Sequence, residues 1–195
     1  MRPEDIVSHS FFVNYPDDFF QFYKQKMIYP KALPNKAHNY FASLEKEDKN
    51  VTIITQNIDG LHSLAGSKNV LELHGSIHRN HCQKCNKFYN LKDILKFEKT
   101  PKCQCGGIIK PDVTLYEEDL DYIVLTNAMH AINQADLLIV IGTSLVVQPA
   151  ASLIRYFLGE NIILINKEKT PYDHYAKYVI NDDVINVVNK LTNPI

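Results

Sequence analysis

Residues 137–166 read Leu-Leu-Ile-Val-Ile-Gly-Thr-Ser-Leu-Val-Val-Gln-Pro-Ala-Ala-Ser-Leu-Ile-Arg-Tyr-Phe-Leu-Gly-Glu-Asn-Ile-Ile-Leu-Ile-Asn, and the architecture of the chain is written in them. Residues 137–141 and 162–165 are continuous apolar runs rich in β-branched side chains, the pattern of strands buried on both faces. Between them, residues 148–158 read as a helix, with Pro149 in its first turn and Gly159 at its end. Two buried strands joined through a helix pair in parallel, because such a connection crosses one face of the sheet. Working outward, Val51-Thr52-Ile53-Ile54-Thr55 reads as another buried strand and Val70-Leu71-Glu72-Leu73 as a shorter one. A helix is predicted over 120–132, and Val184, Val187, Val188 and Leu191 form a last amphipathic stripe. The first fifty residues read as helical. Asp17-Asp18 sit at the positive end of an apolar face of Phe19, Phe20, Phe22, Tyr23 and Met27. Asn35 can cap a second helix through Ala37, Tyr40, Phe41 and Leu44. These aromatics are read as core faces.

Composition narrows the class. In 195 residues, 45% are hydrophobic, enough for a sizeable core, and the net charge of −1 disfavours a broad polyanion-binding surface. No apolar run approaches a membrane span, and no secretory leader is readable after Met1-Arg2-Pro3-Glu4-Asp5. Four cysteines without an export signal point to metal or redox chemistry before disulfides, and to the cytoplasm.

Residues 82–105 interrupt the strand–helix alternation, and a small inserted module over 78–110 is expected, too poor in apolar residues to hold itself without a staple. Its cysteines come in two pairs, Cys82-x2-Cys85 and Cys103-x1-Cys105, which suits a tetrahedral Zn²⁺ with a full thiolate shell and therefore a structural role. The second pair is one residue tighter than usual, and His78 and His81 are near enough to substitute. Free buried thiols or a redox pair are the alternatives.

Three strand ends carry candidate chemistry, as open α/β sheets bind ligands at their carboxyl edges. Thr55-Gln56-Asn57-Ile58-Asp59-Gly60-Leu61-His62 crowds amide and carboxylate groups before a glycine; a common Asn-x-Asp-Gly turn is the plainer reading. Leu71-Glu72-Leu73-His74-Gly75-Ser76 places His74 just past a strand, where an imidazole can take a proton from a hydroxyl, although any one of eight histidines is more often structural. Gly142-Thr143-Ser144 suits a phosphate or ribose and is equally an ordinary loop. Asn166 and Asp183 fit the same rim, and Asp183 is also a natural helix cap.

These residues, with Cys105-Gly106-Gly107, Lys110-Pro111-Asp112-Val113, Gly142-Thr143-Ser144-Leu145 and Ile165-Asn166, occur in an order and spacing that resemble the bacterial-type sirtuins, NAD-dependent protein deacylases, over about residues 1–192. The resemblance implies one catalytic domain over 1–195: an α/β fold with a Rossmann-like parallel sheet, an inserted zinc module and a helical segment. It implies NAD as cofactor, one structural zinc held by Cys82, Cys85, Cys103 and Cys105, and acylated-lysine proteins as substrates. His74 matches the general base. Asn57 and Asp59 match the nicotinamide pocket, with Ile58 beside them and Gln56 on the ribose. Gly142, Thr143, Ser144, Asn166 and Asp183 match contacts to phosphate and adenosine. Val113, Thr114, Leu115 and Tyr116 match the segment that pairs with substrate backbone by strand addition. The products implied are nicotinamide, O-acyl-ADP-ribose and free lysine.

The sequence departs from the family pattern in its cysteine spacing, in Tyr116-Glu117-Glu118 where many members have aromatic-Gly-Glu, and at its start. No Gly-Ala-Gly-x-Ser turn is present. The expectation is that roughly the first forty to fifty residues of a typical member, a βα unit with the sheet's first strand, lie outside this sequence, and that the chain alone has weak NAD-dependent activity. The alternative function is a non-catalytic, zinc-stapled relic that binds acyl-peptide or ADP-ribose. Nucleic-acid binding through Lys84, Lys87 and Lys92 is not expected, a solvated lysine face being commoner, and no membrane association is expected. Oligomeric state is not written in the residues.

Overall fold

The computed structural model describes residues 2–193. In chain order its elements are helices α1 (Pro3–Ile6), α2 (His9–Asn14) and α3 (Pro16–Phe22), a π-helical turn (Tyr23–Met27), α4 (Lys36–Leu44), a 3-10 turn (Glu45–Glu47), strand β1 (Ile53–Thr55), α5 (Leu61–Leu64), β2 (Val70–Glu72), β3 (Gly75–Cys82), β4 (Phe88–Asn90) and α6 (Leu91–Ile94). There follow β5 (Ile109–Val113), α7 (Tyr122–Gln134), β6 (Leu138–Ile141), a 3-10 helix (Ala150–Tyr156), β7 (Ile162–Ile165), a 3-10 turn (Asp173–Tyr175), β8 (Tyr178–Ile180) and α8 (Val184–Thr192). Among the described residues no helix is long and apolar enough to cross a membrane. The chain divides into two compact units.

The first unit holds the residues up to Ala32, Thr55–Leu61 and Glu72–Tyr122. Its centre is an antiparallel sheet of order β4-β3-β5. Phe12, Phe19, Phe20 and Tyr23 share one core with Ile77, Cys82, Leu91, Ile94, Cys103, Ile109, Val113 and Leu115. Phe12 and Phe19 meet edge-on with centroids 5.1 Å apart, and Phe19 stacks on Tyr23 at 5.9 Å, both arrangements that aromatic quadrupoles allow. The module around the cysteines therefore also leans on the N-terminal aromatics, support that its own composition did not suggest. Asp17, in the first turn of α3, accepts from Thr100 N at 3.1 Å and ties that helix to the module. Lys24 Nζ adds bonds to the carbonyls of Glu98 and Lys99, at 3.4 and 3.3 Å.

The second unit holds Leu33–Ile54, His62–Leu71 and the residues from Ile123 onward. β6, β7 and β8 form a parallel sheet in that order, with Ile141 opposite Ile165 and Ile165 opposite Ile180. Its buried residues include Ala128, Ile132, Leu153, Ile154, Leu164, Val187 and Val188. Asn35 caps α4 as its position predicted, accepting from Ala37 N and His38 N at 2.9 and 3.1 Å. The segment predicted as an α-helix over 148–158 is a 3-10 helix over Ala150–Tyr156, and the strand predicted over 51–55 narrows to Ile53–Thr55. At the latter, Asn69 Nδ2 donates to Thr52 Oγ1 at 2.6 Å, a side-chain bond flanking the ladder. The pairing of β1 with β2 shows in Ile53 N bonding Asn69 O and Leu73 N bonding Thr55 O; both strands advance in the same direction between these bonds.

Gly75 is the tightest position of the first unit. Its φ is +73° and a Cβ there would lie 1.8 Å from the Asp112 carbonyl oxygen. We expect Gly75→Ala to cost more than about 2 kcal/mol, since it combines left-handed strain with backbone overlap. The urea midpoint should fall by the corresponding amount; an unchanged midpoint would contradict the close approach.

Candidate active site and metal centre

In the first unit, the loop leaving β1 is shaped by its own side chains. Thr55 Oγ1 accepts from Asn57 N at 3.0 Å, and Asp59 Oδ1 accepts from Leu61 N at 3.0 Å. Both are local turns in which a short polar side chain stands in for a backbone partner. Gly60 has φ +71°, and a Cβ there would sit 2.9 Å from the His78 ring, so glycine is required. His78 Nε2 donates to Asp59 O at 2.9 Å. Ile77 N donates to Ile58 O at 3.1 Å and Leu73 N to Thr55 O at 2.9 Å. The loop carrying Gln56, Asn57, Ile58 and Asp59 is thereby fastened along residues 73–78.

His74 lies between these fastenings. Its Nδ1 is 3.1 Å from Gln56 O. A carbonyl only accepts, so Nδ1 carries the proton and Nε2 is left with its lone pair. Burial pushes the His74 pKa below its ordinary 6.5, against the smaller upward pull of the Gln56 carbonyl. At neutral pH the ring is a neutral base of defined tautomer.

The main chain of His74 also receives Thr114 N, at 3.0 Å, which places residues 113–116 beside the base. The amides of this segment are occupied. Leu115 N bonds Glu118 Oε2 at 2.9 Å, and Tyr116 N bonds Val7 O at 3.0 Å. Glu118 further accepts from Lys110 Nζ at 3.0 Å and pairs with His9 Nδ1 at 2.8 Å. Sequence reading did not find these roles for Glu118, Lys110 and His9; their one trace was the departure at Tyr116-Glu117-Glu118.

In the second unit, Gly142-Thr143-Ser144, Asn166 and Asp183 follow the ends of β6, β7 and β8, whose in-register parallel pairing puts all three ends at one carboxyl edge. Gly142 has φ +57°, with open space where a Cβ would stand. Thr143 Oγ1 accepts from Leu145 N at 3.1 Å, and Asn166 Nδ2 donates to Glu168 O at 2.8 Å. Asp183 is a helix cap, accepting from Ile185 N at 2.8 Å, and it pairs with Lys167 Nζ at 2.9 Å. Hydroxyls, an amide and an open glycine at such an edge fit the phosphate and ribose groups of a dinucleotide.

The cysteines converge at the far end of the antiparallel sheet. Ligand atoms of Cys82, Cys85, Cys103 and Cys105 all lie within 4.8 Å of one another. Cys82 Sγ is 3.4 Å from Cys105 Sγ, and Cys85 Sγ is 3.6 Å from Cys103 Sγ. A tetrahedron of sulfurs about 2.3 Å from zinc has edges of about 3.8 Å, so the cluster fits one such ion. The tight Cys103-x1-Cys105 knuckle works because Cys103 N bonds Gly107 O at 2.8 Å and Gly106 adopts φ +83°. A Cβ on Gly107 would strike Cys82 Sγ at 2.6 Å. Tyr89 OH donates to Cys103 Sγ at 3.1 Å and brings that thiol down to about 6. His81 and His78 stay outside the cluster, His81 Nδ1 pairing with Asp112 Oδ1 at 2.8 Å. The Tyr89 contact had no signal in the spacing of the cysteines.

A base at a strand end, a dinucleotide-suited carboxyl edge and a four-thiolate centre mark an α/β nucleotide-dependent enzyme with a structural metal module. The Sir2 family profile matches residues 1–149. The NAD-dependent protein deacetylase of Clostridium acetobutylicum is 58% identical over 184 residues, 93% of this chain and 75% of that protein. Its namesake in Clostridium perfringens is 57% identical over 191 residues, 97% of this chain and 78% of that protein. A Sir2 solved with a p53 peptide and NAD+ superposes with a TM-score of 0.90 at 36% identity, covering 97% of this chain and 82% of that one. The chain belongs to the Sir2 family. Its fold is the Rossmann-like α/β fold of the sirtuins.

The protein should hold one zinc per chain by elemental analysis. Cys103→Ser should abolish this, raise amide exchange in the first unit's shared core, and leave β6, β7 and β8 protected. A metal-free protein with an intact β3–β5 ladder would refute the structural role.

Proposed function

We propose that this protein is an NAD-dependent protein-lysine deacylase acting on acylated-lysine proteins, with nicotinamide, O-acyl-ADP-ribose and free lysine as products. The observation that carries the reading is the His74 Nδ1–Gln56 O bond, which leaves Nε2 as a base and ties the ring to the loop that bears Asn57 and Asp59. Relatives at 57–58% identity, both NAD-dependent protein deacetylases, support it. So does the neighbour in complex with 2'-O-acetyl-ADP-ribose and deacetylated p53 peptide, of TM-score 0.90 at 36% identity.

When bound, NAD would supply the nicotinamide leaving group and the ribose hydroxyl that takes up the acyl group, with one water consumed as the lysine amine is released. His74 Nε2 takes the proton of a ribose hydroxyl. Asn57, Ile58 and Asp59 would hold the nicotinamide end of NAD and Gln56 its ribose, the Asp59 carboxylate supplying negative charge to that pocket. Gly142, Thr143, Ser144, Asn166 and Asp183 serve the phosphates and adenosine. Val113, Thr114, Leu115 and Tyr116 form the wall along which the substrate lies. The four cysteines hold zinc as a staple without a part in the chemistry. The domain over 1–195 carries the module 78–110 as an insert, and the cytoplasm, where thiolates stay reduced, is its compartment.

In the full-length protein, His74→Ala should lower acetyl-peptide-dependent nicotinamide release by about 10²–10⁴-fold while peptide binding persists. The rate should climb with pH through a midpoint below 6.5, because His74 accepts a proton only when neutral and burial favours that form. Retained turnover in His74→Ala would move the base elsewhere; an acid limb centred above 7 would contradict its environment.

A further inference from the structure

Glu117 stands out in the first unit. It is a glutamate at φ +74°, a backbone region that favours glycine. It is exposed, and among the described residues neither its N–H nor its C=O has a hydrogen-bond partner, whereas the amides of Thr114, Leu115 and Tyr116 are all taken. Among residues 114–117, Glu117 is therefore the one whose backbone N–H is open to a partner. Its carboxylate is held in place: Oε2 accepts from Ser10 N at 2.8 Å and from Ser10 Oγ at 2.6 Å. Those bonds keep it ionised, the hydroxyl before the amide, with a smaller contribution from the nearby His9 ring. The neighbouring Glu118 differs, because Lys110 lies against it. Glu117 is thus a fixed negative charge on a backbone turn that follows the His74–Thr114 bond, and the imidazole acting on it, His9, is itself paired with Glu118.

We propose that Glu117 sets sequence preference: an acyl-lysine peptide pairing at this turn is favoured when a lysine or arginine neighbours the acylated residue, and disfavoured when an acidic residue does. This rests on the deacylase reading and names its substrate class. A charged side chain of the peptide within a few ångströms of this carboxylate is attracted when its sign is opposite and repelled when it is the same. The pair is exposed, so the effect is modest and salt-sensitive.

The test compares acetyl-lysine peptides flanked by arginine, glutamine or glutamate on the full-length protein, reading both kcat/KM and peptide Kd by fluorescence anisotropy. We expect the arginine-flanked peptide to lead the glutamate-flanked one by about three- to tenfold at low salt, mostly through KM, and the ratio to shrink toward one near 0.5 M salt. Glu117→Gln and Glu117→Gly should each bring the low-salt ratio close to one. Turnover of all three peptides at equal efficiency, or a ratio unchanged in both variants, overturns the inference and leaves the deacylase reading standing. Arginine-dependent binding with no turnover of any peptide overturns the deacylase reading and upholds the preference.

Discussion

The contact on which the first unit turns is the approach of β3 to β5 at Gly75, where the Asp112 carbonyl occupies the space of a missing side chain. From that point the ladder runs both ways. On one side it delivers Thr114 N to His74 O, and residues 73–78 hold the loop of Gln56, Asn57, Ile58 and Asp59. On the other it sets Cys82 opposite Ile109, next to the second cysteine pair. One ladder, its register shifted by a bulge between Ser76 and Asn80, thus places His74 at one end of a strand and the cysteine cluster at the other. Measured along β5, where Ile109–Val113 faces the same span, about 3.3 Å per residue puts the two ends roughly 13 Å apart, beyond the roughly 8–10 Å over which charges are felt through salt water. The metal acts on the site only through the ladder.

A metal is useful here for a reason that burial makes plain. The core of the first unit includes Cys82 and Cys103 as buried members, packed with Phe12, Phe19, Phe20, Ile94 and Ile109. Buried thiols pack as small hydrophobes. Ligation adds to that packing a constraint with direction, fixing two loops that otherwise depend on Gly106, Gly107 and a few backbone bonds. The aromatic helices and the metal are complementary supports, one giving apolar area and the other geometry.

What could be read from the sequence divides along physical lines. The strands of residues 137–141 and 162–165 were legible from their unbroken, β-branched apolar runs; β7 is mostly buried as expected, whereas β6 is half-buried along its length and Leu137 is exposed. Asn35 was legible because capping is a local interaction. The cysteine centre was legible from pairing alone. β5 was not: Ile-Lys-Pro-Asp-Val hides a buried Pro111 and a lysine in a strand whose partner is distant in sequence. β8 is three residues long with Tyr178 and Val179 exposed, so it lacks the burial that marks β7 beside it. At the site, the residue types could be picked out at strand ends, but not the His74–Gln56 bond or the fixing of Glu117 by Ser10. Those depend on residues 18 and 107 positions apart, which only the folded register joins. Asp183 shows the opposite case, where both readings of one residue hold a place: it caps α8 and still lies at the carboxyl edge.

The choice of a carbonyl, and not a carboxylate, as the partner of His74 has a chemical consequence. A carboxylate on Nδ1 would favour the imidazolium and lift its pKa, so that at neutral pH part of the population would already be protonated and unable to accept. The Gln56 carbonyl fixes the same tautomer with a neutral dipole, and burial outweighs its upward pull. The ring therefore waits neutral. When Nε2 takes a proton, the Nδ1–H bond to Gln56 O persists and strengthens, because both nitrogens of the imidazolium are donors. The site needs no rearrangement of this contact between the two states of its base, and the loop that bears Asn57 and Asp59 stays where the ladder put it throughout.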